Sequence, residues 1–286
     1  MKIVFSRKGF DSKLGCVASP IVRGTPHSLP IPTHTRSAIT YAQVCSPACN
    51  LLGQLNARGP DGPLLPTTLC HLDPDICETH LPRLPGWRGA LGQDKQSASL
   101  LRNQGIKHGD LFLFFGWFDE YDITINRYAS NNEHRVYGWL QVDEIIDMRG
   151  QGHSILQRYP WLKDHPHVNG NWNHHNLRHD LYIAKRNLDI HGLEHCLDVS
   201  IPGYGVLKQG YRLSVTGQPR RDLWATPDWL NPLHGGSGLS GKPANRWTNN
   251  TVDMYGSGQE FVTDIEFNTA GAIEWLSANI FNATNL

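Results

Sequence analysis

Five consecutive apolar residues, Leu111-Phe-Leu-Phe-Phe115, constrain this chain more than any other feature. Successive side chains of a strand point to opposite faces, so an unbroken apolar run has to be covered on both. The run lies in Gly109-Asp-Leu-Phe-Leu-Phe-Phe-Gly-Trp-Phe118, and a polar, turn-like interval separates it from Val136-Tyr-Gly-Trp-Leu-Gln-Val-Asp-Glu-Ile145. Both segments are rich in β-branched or aromatic residues and read as a hairpin at the centre of a sheet.

Around that centre the chain is loop-rich. Its 286 residues include 28 Gly and 18 Pro against 39 % apolar residues, which favours short strands and long connections over a helical bundle. The expected class is α+β, one domain over residues 1–286, with a mainly antiparallel sheet or small barrel at roughly 105–190 and peripheral helices. Lys plus Arg (26) balances Asp plus Glu (26), so no global field holds a polyanion, and any nucleic-acid contact needs a local patch. No segment approaches the ~20 apolar residues of a membrane span, and the N-terminal apolar run is too short for a signal peptide. Six irregularly spaced cysteines do not form a disulfide framework, so the expectation is a cytoplasmic protein with no membrane contact.

Lys2–Ser6 reads as a first strand, with Arg7 and Lys8 at its end. Residues 38–55 support a helix that Pro47 interrupts. Asp94–Gln104 is the clearest helix, with Ala98, Leu100 and Leu101 inward and Gly105 as its stop. Further strands are expected at Leu181–Leu188, Gly210–Thr216 and Gly258–Val262, and an amphipathic helix at Thr269–Ile280.

Chemistry concentrates in few places. His71, Asp73 and Asp75 occupy alternate positions, so an extended backbone would put all three on one face, as an acid/base set or a divalent-cation site. Asp-Pro-Asp is equally good turn and capping chemistry. Cys45, Cys49, Cys70 and Cys77, with His71, could close a zinc site, although their spacing misses the usual pattern. His165 and His167 bracket a proline and project from one side of an extended segment, and His174, His175 and His179 follow. Arg7 offers a planar fork to phosphate. Trp117, Trp139 and Arg246 could stack a base; Glu260 is a candidate general base beside Gln259.

Ser6-Arg-Lys-Gly-Phe-Asp-Ser12, Ser19-Pro-Ile21, Cys70-His-Leu-Asp-Pro-Asp75, Gly109–Phe118, Gly138-Trp-Leu-Gln-Val142, His165-Pro-His167 and Gly258-Gln-Glu-Phe-Val262 occur in the order that resembles the third type of nucleotide-modification-associated domain. Gly15-Cys16-Val-Ala18 departs from the Gly-Gly-Val-Pro expected there. A shorter likeness, the Gly-Asp-initiated strand followed by one ending in Val-x-Glu-Ile, is to the PUA, ASCH and EVE barrels, which bind RNA or modified bases.

These resemblances imply an enzyme acting on a nucleotide or nucleobase, in DNA or free, by acid/base or metal-assisted chemistry. The implied catalytic residues are His71, Asp73, Asp75 and Glu260. The implied substrate contacts are Arg7, Asp11, Ser19, Trp117, His165, His167, Arg246 and Gln259. A divalent metal is a possible cofactor, and nucleic acid and other nucleic-acid-modification enzymes are the implied partners. A non-catalytic reader of modified bases is the alternative. An ADP-ribosyltransferase is a third reading, weakened because Gln259-Glu260 lacks the intervening residue of the usual Gln-x-Glu. Asp73 is expected to be partly exposed.

Overall fold

A computed structural model describes residues 1–34, 37–149, 151, 154–169, 178–193, 200–256 and 258–286. Its main sheet has ten strands: β1 (Lys2–Arg7), β2 (Ser19–Val22), β3 (Thr25–Pro26), β4 (Ala90–Asp94), β5 (Leu111–Asp122), β6 (Arg127–Tyr128), β7 (Glu133–Asp147), β8 (His179–Ala184), β9 (Tyr204–Arg212) and β10 (Glu260–Asp264). The central path runs β10-β1-β5-β7-β8-β4; β2 and β6 also pair with β5, and β9 with β7.

The expected hairpin is present and longer than the sequence pattern suggested. Strands β5 and β7 pair antiparallel, with Leu113 opposite Trp139 and Leu111 opposite Gln141. The expected barrel is not. The sheet stays open because β1 and β2 run parallel along the edge of β5 that does not face β7, and β10 and β4 end the path. The class is therefore α+β with a mixed sheet of many strands and few helices.

Leu111 through Phe115 are 0–1 % exposed, as continuous apolarity requires. Alternation divides them between two cores. Ile3, Phe5, Leu111, Leu113 and Phe115 pack with Trp224 and Leu276, whereas Val4, Phe112, Phe114 and Phe118 pack with Leu91, Leu101, Leu140 and Tyr182. Each such side chain contributes about 1.5–3 kcal/mol by leaving water, so the central strand ties two half-molecules together.

Helix α1 (Lys95–Asn103) follows β4, buries Ala98 and Leu101, leaves Leu100 exposed, and ends where Gly105 takes φ +68°. The region 38–55 holds only a 3₁₀ turn and two four-residue helices, Pro47 starting the first of them. Helix α2 (Pro166–Asn169) precedes β8, and α3 (Thr269–Trp275) closes the Trp224 core. The strand expected at 210–216 lies earlier, as β9. Among the described residues, no helix is long and apolar enough to cross a membrane.

Candidate functional site

Six segments of the chain converge around one carboxylate. Asp73 follows the two-residue strand Cys70–His71, which Ile31–Pro32 holds in place. Its side chain is only 3 % exposed, which corrects the expectation of a partly exposed group. Gly92, in β4, donates its backbone N–H to Asp73 Oδ1 at 2.7 Å. Lys8 Nζ, just past β1, stands 3.6 Å from Oδ2. His165 Nε2 is 3.5 Å from Oδ1, and His167 Nε2 is 3.8 Å from Oδ2.

The imidazoles form a chain. His71 Nε2 and His167 Nε2 are 3.2 Å apart, and His167 Nδ1 meets His179 Nε2 at 2.8 Å. His71 is half-buried and His167 is buried. Gly92 makes room for the ring, since a Cβ there would collide with His167.

A second carboxylate shares the lysine. Glu260 opens β10 opposite Ser6, accepts a hydrogen bond from Gln93 Nε2 at 2.6 Å, and has Oε1 3.9 Å from Lys8 Nζ. Its Oε2 is buried with no hydrogen-bond partner, as is His165 Nε2.

The two carboxyls are pushed apart in acidity. Burial alone would raise Asp73, but the Lys8 charge and the His165 and His167 imidazoles outweigh it and leave the group far below the carboxylate range. Burial raises Glu260 above its ordinary value against the opposing pull of Lys8, Ser6 and Gln93. Burial also drives His167 well below the usual imidazole value and His179 down to about 4, so both rings are neutral near pH 7. The shared lysine thus sits between a carboxyl biased toward its charged form, Asp73, and one biased toward its neutral form, Glu260.

His71, Asp73 and His167 present one ligand atom each within 4.8 Å of one another. At metal–nitrogen distances of ~2.0–2.1 Å, tetrahedral nitrogen ligands sit roughly 3.3 Å apart, close to the observed His71–His167 spacing. Neutral imidazoles plus a carboxylate suit a first-row transition metal better than the oxygen-seeking Mg²⁺ or Ca²⁺. His179 would orient His167 from behind.

Asp73 also lines a cavity of about 260 Å³, with Ser28, Leu72, Ile76, Cys77 and Tyr137 among its walls. That is near the small end of the ~300–1,000 Å³ range of ligand pockets. Burial works against the Cys77 thiolate, but the His80 hydrogen bond and charge, aided by Thr79, bring the thiol down to about 7.

The other expected residues are dispersed. The chain turns at Asp73, whose N–H bonds back to the His71 carbonyl, so Asp75 leaves the shared face and makes a two-pronged pair with Arg83 at 2.6 and 2.8 Å. Ser19 Oγ accepts from Leu29 N, and Asp11 Oδ1 caps the turn at Lys13 and Leu14. Arg246 pairs with Asp253, and Trp139 is a core residue donating to the Pro202 carbonyl. Gln259 is exposed, its carbonyl accepting from Arg7 N. Alternation places Arg7 and Trp117 on the sheet face opposite Asp73, with Ile3, Phe5 and Phe115. Cys49 and Cys70 are buried thiols that burial pushes up, Cys49 to about 12, and among the described residues the cysteines form no group at metal-ligand spacing. His174 and His175 lie outside the described residues. The site members that sequence reasoning left out are Lys8, Gly92 and Gln93, whereas His179 was named with the later histidine cluster. Lys8 alone had a signal, its place at a strand end beside the Gly-Phe-Asp turn.

The family model for nucleotide modification associated domain 3 matches residues 2–264. No curated protein and no solved structure matches the chain.

Proposed function

The chain belongs to the nucleotide modification associated domain 3 family, and we propose that it is an enzyme that modifies a nucleotide or nucleobase at the Asp73 centre. The observation that carries this reading is a buried carboxylate ringed by Lys8, His165 and His167, beside a second buried carboxyl, Glu260, that burial biases toward its protonated form. A purely structural pair has no use for that split, because each buried, incompletely paired group costs stability.

His71, Asp73 and His167 are the residues that would hold a divalent transition metal, which would supply Lewis acidity or an activated water. In this reading Glu260 gives a proton, and Asp73 supplies the fixed negative charge beside the neutral imidazoles. Lys8 keeps Asp73 ionised while touching Glu260, so it links the two. The cavity beside Asp73 suits a group the size of a base or nucleoside and excludes a stacked duplex, so a base in a polymer would have to be turned out to reach it.

The test is turnover. Wild type and Asp73→Asn, each loaded with zinc, iron or manganese, are incubated with nucleosides, nucleotides and single-stranded oligonucleotides, and the products are weighed by mass spectrometry. A mass change on one substrate that Asp73→Asn reduces at least 100-fold is expected. A mass change that survives in Asp73→Asn would move the chemistry elsewhere.

A further inference from the structure

Nearly every arginine that is even partly buried has a carboxylate. Arg83 has Asp75, Arg88 has Asp143, Arg102 has Asp180, and Arg135 and Arg212 share Glu133. Arg246 has Asp253. Among the described residues, Arg7 and Arg221 are the partly buried arginines with no carboxylate oxygen within 4 Å.

The two sit together. Arg7 ends β1 beside Phe115 of β5, and Trp117 follows two residues along the same strand and face. Arg221 lies over the Trp117 ring at 4.3 Å, and the indole is pinned by its N–H to Asn132 Oδ1 at 2.6 Å. The guanidinium of Arg221 is therefore held flat rather than free to swing into water. Burial most of all lowers the affinity of Arg221 for its proton, with Asp222 opposing it, the Arg7 charge adding to it and Asp11 giving a smaller relief. Beside them His134, brought down to about 3 by burial with Arg221 and Arg7 opposing its charge, is neutral and adds no third positive charge.

We propose that Arg7 and Arg221 form a binding site for a phosphoryl anion, with Trp117 fixing the fork of Arg221. Two planar forks at neighbouring positions on one sheet face could offer paired N–H donors to one tetrahedral oxyanion, a task in which arginine outperforms lysine. A bound phosphate would remove the like-charge repulsion that the free protein carries. The site lies on the face away from Asp73 and does not depend on the chemistry assigned there. The phosphate belongs either to a free nucleotide or to a nucleic-acid backbone, where such contacts position the chain without reading sequence.

Calorimetric titration of the full chain with pyrophosphate tests it. Binding by wild type is expected, with at least tenfold weaker binding by Arg7→Gln and by Arg221→Gln, and no recovery in Arg221→Lys. Arg7→Gln is also expected to melt no lower than wild type without the anion, which separates lost binding from lost folding. Competition then assigns the source: displacement by nucleoside monophosphates points to a free nucleotide, and displacement only by a single-stranded oligonucleotide points to the backbone. Asp73→Asn should bind pyrophosphate like wild type, so failure here and failure of the Asp73 chemistry are told apart. Absence of binding by wild type at millimolar pyrophosphate, or equal binding by wild type and both glutamine variants, overturns the site.

Discussion

The two faces of one sheet treat charge in opposite ways. On the Asp73 face, burial is almost complete, and every charge has company: Asp73 has Lys8, a backbone N–H and two nearby imidazoles. On the other face, Arg7 and Arg221 lie over an aromatic floor of Phe115, Trp117 and Trp224, and among the described residues neither has a carboxylate oxygen within 4 Å, Asp222 and Asp11 acting on Arg221 only from farther off. A compensated set can be preorganised without a ligand, since its members already solvate one another. An uncompensated set is stable only where water or a ligand reaches it. That contrast underlies the two proposals, chemistry at Asp73 and anion binding at Arg7 and Arg221.

The largest expected effect comes from breaking the compensated face. Asp73→Ala leaves Lys8 buried against nothing but Glu260, and should cost about 3–5 kcal/mol in denaturant unfolding. Arg7→Gln on the opposite face should cost under about 0.5 kcal/mol, as for a substitution that breaks no pairing. Similar losses for both would erase the contrast between the faces.

Gly92→Ala sharpens the same contrast by geometry alone. The new methyl collides with the His167 ring, so the ring or β4 has to move. Overpacking of this kind costs about 1–3 kcal/mol, and metal affinity should fall at least tenfold. Gly24, where added carbon meets nothing within 4 Å, is not a fair control because its φ is +81°. Gly53 meets nothing and keeps an ordinary φ, and Gly53→Ala should leave metal affinity unchanged.

Acid should reveal His134. Burial depresses its folded-state value from 6.5 to about 3, so its contribution to stability is whole above pH 6.5 and is lost as pH falls from there toward 3. His167 and His179 are depressed too and add to the loss with the same sign. His134→Gln should flatten only its own share between pH 6.5 and 4. It should also cost about 1 kcal/mol at pH 8, because Trp224 Nε1 donates to His134 Nδ1 at 2.9 Å. An unchanged slope would mean the ring is not neutral in the folded protein.

The smallest effect is local. Cys77 should alkylate with a midpoint near pH 7, followed peptide by peptide, whereas Cys49 and Cys70 should stay unmodified until the protein unfolds. Native-state labelling of Cys70 would contradict its burial.

Much of the scaffold was legible because it rests on local signals. Continuous apolarity located β5, and Gly105 located the end of α1. His71, Asp73, His165, His167 and Glu260 were also named from sequence, and the fold brings all five together. Their supports were not legible, because they come from far along the chain. Gln93 and Glu260 are 167 residues apart, and His71 and His167 are 96 apart. Nothing about a Gly-Gln pair in a short strand announces a backbone donor and a carboxylate clamp. Asp75 was misplaced by assuming an extended backbone through Asp73, where the chain turns. Arg7 and Trp117 were grouped with the acids because strand alternation across the Arg7-Lys8 step was not applied. One residue of register is enough to send a side chain to the other face.

Elemental analysis of the purified wild type, His167→Ala and Asp73→Asn, before and after equilibration with zinc, iron(II) and manganese(II) and exhaustive dialysis, tests the Asp73 centre most directly. About one equivalent of a transition metal retained by wild type and lost from both variants is the predicted result. Retention by neither wild type nor variants, or equal retention by all three, would contradict it.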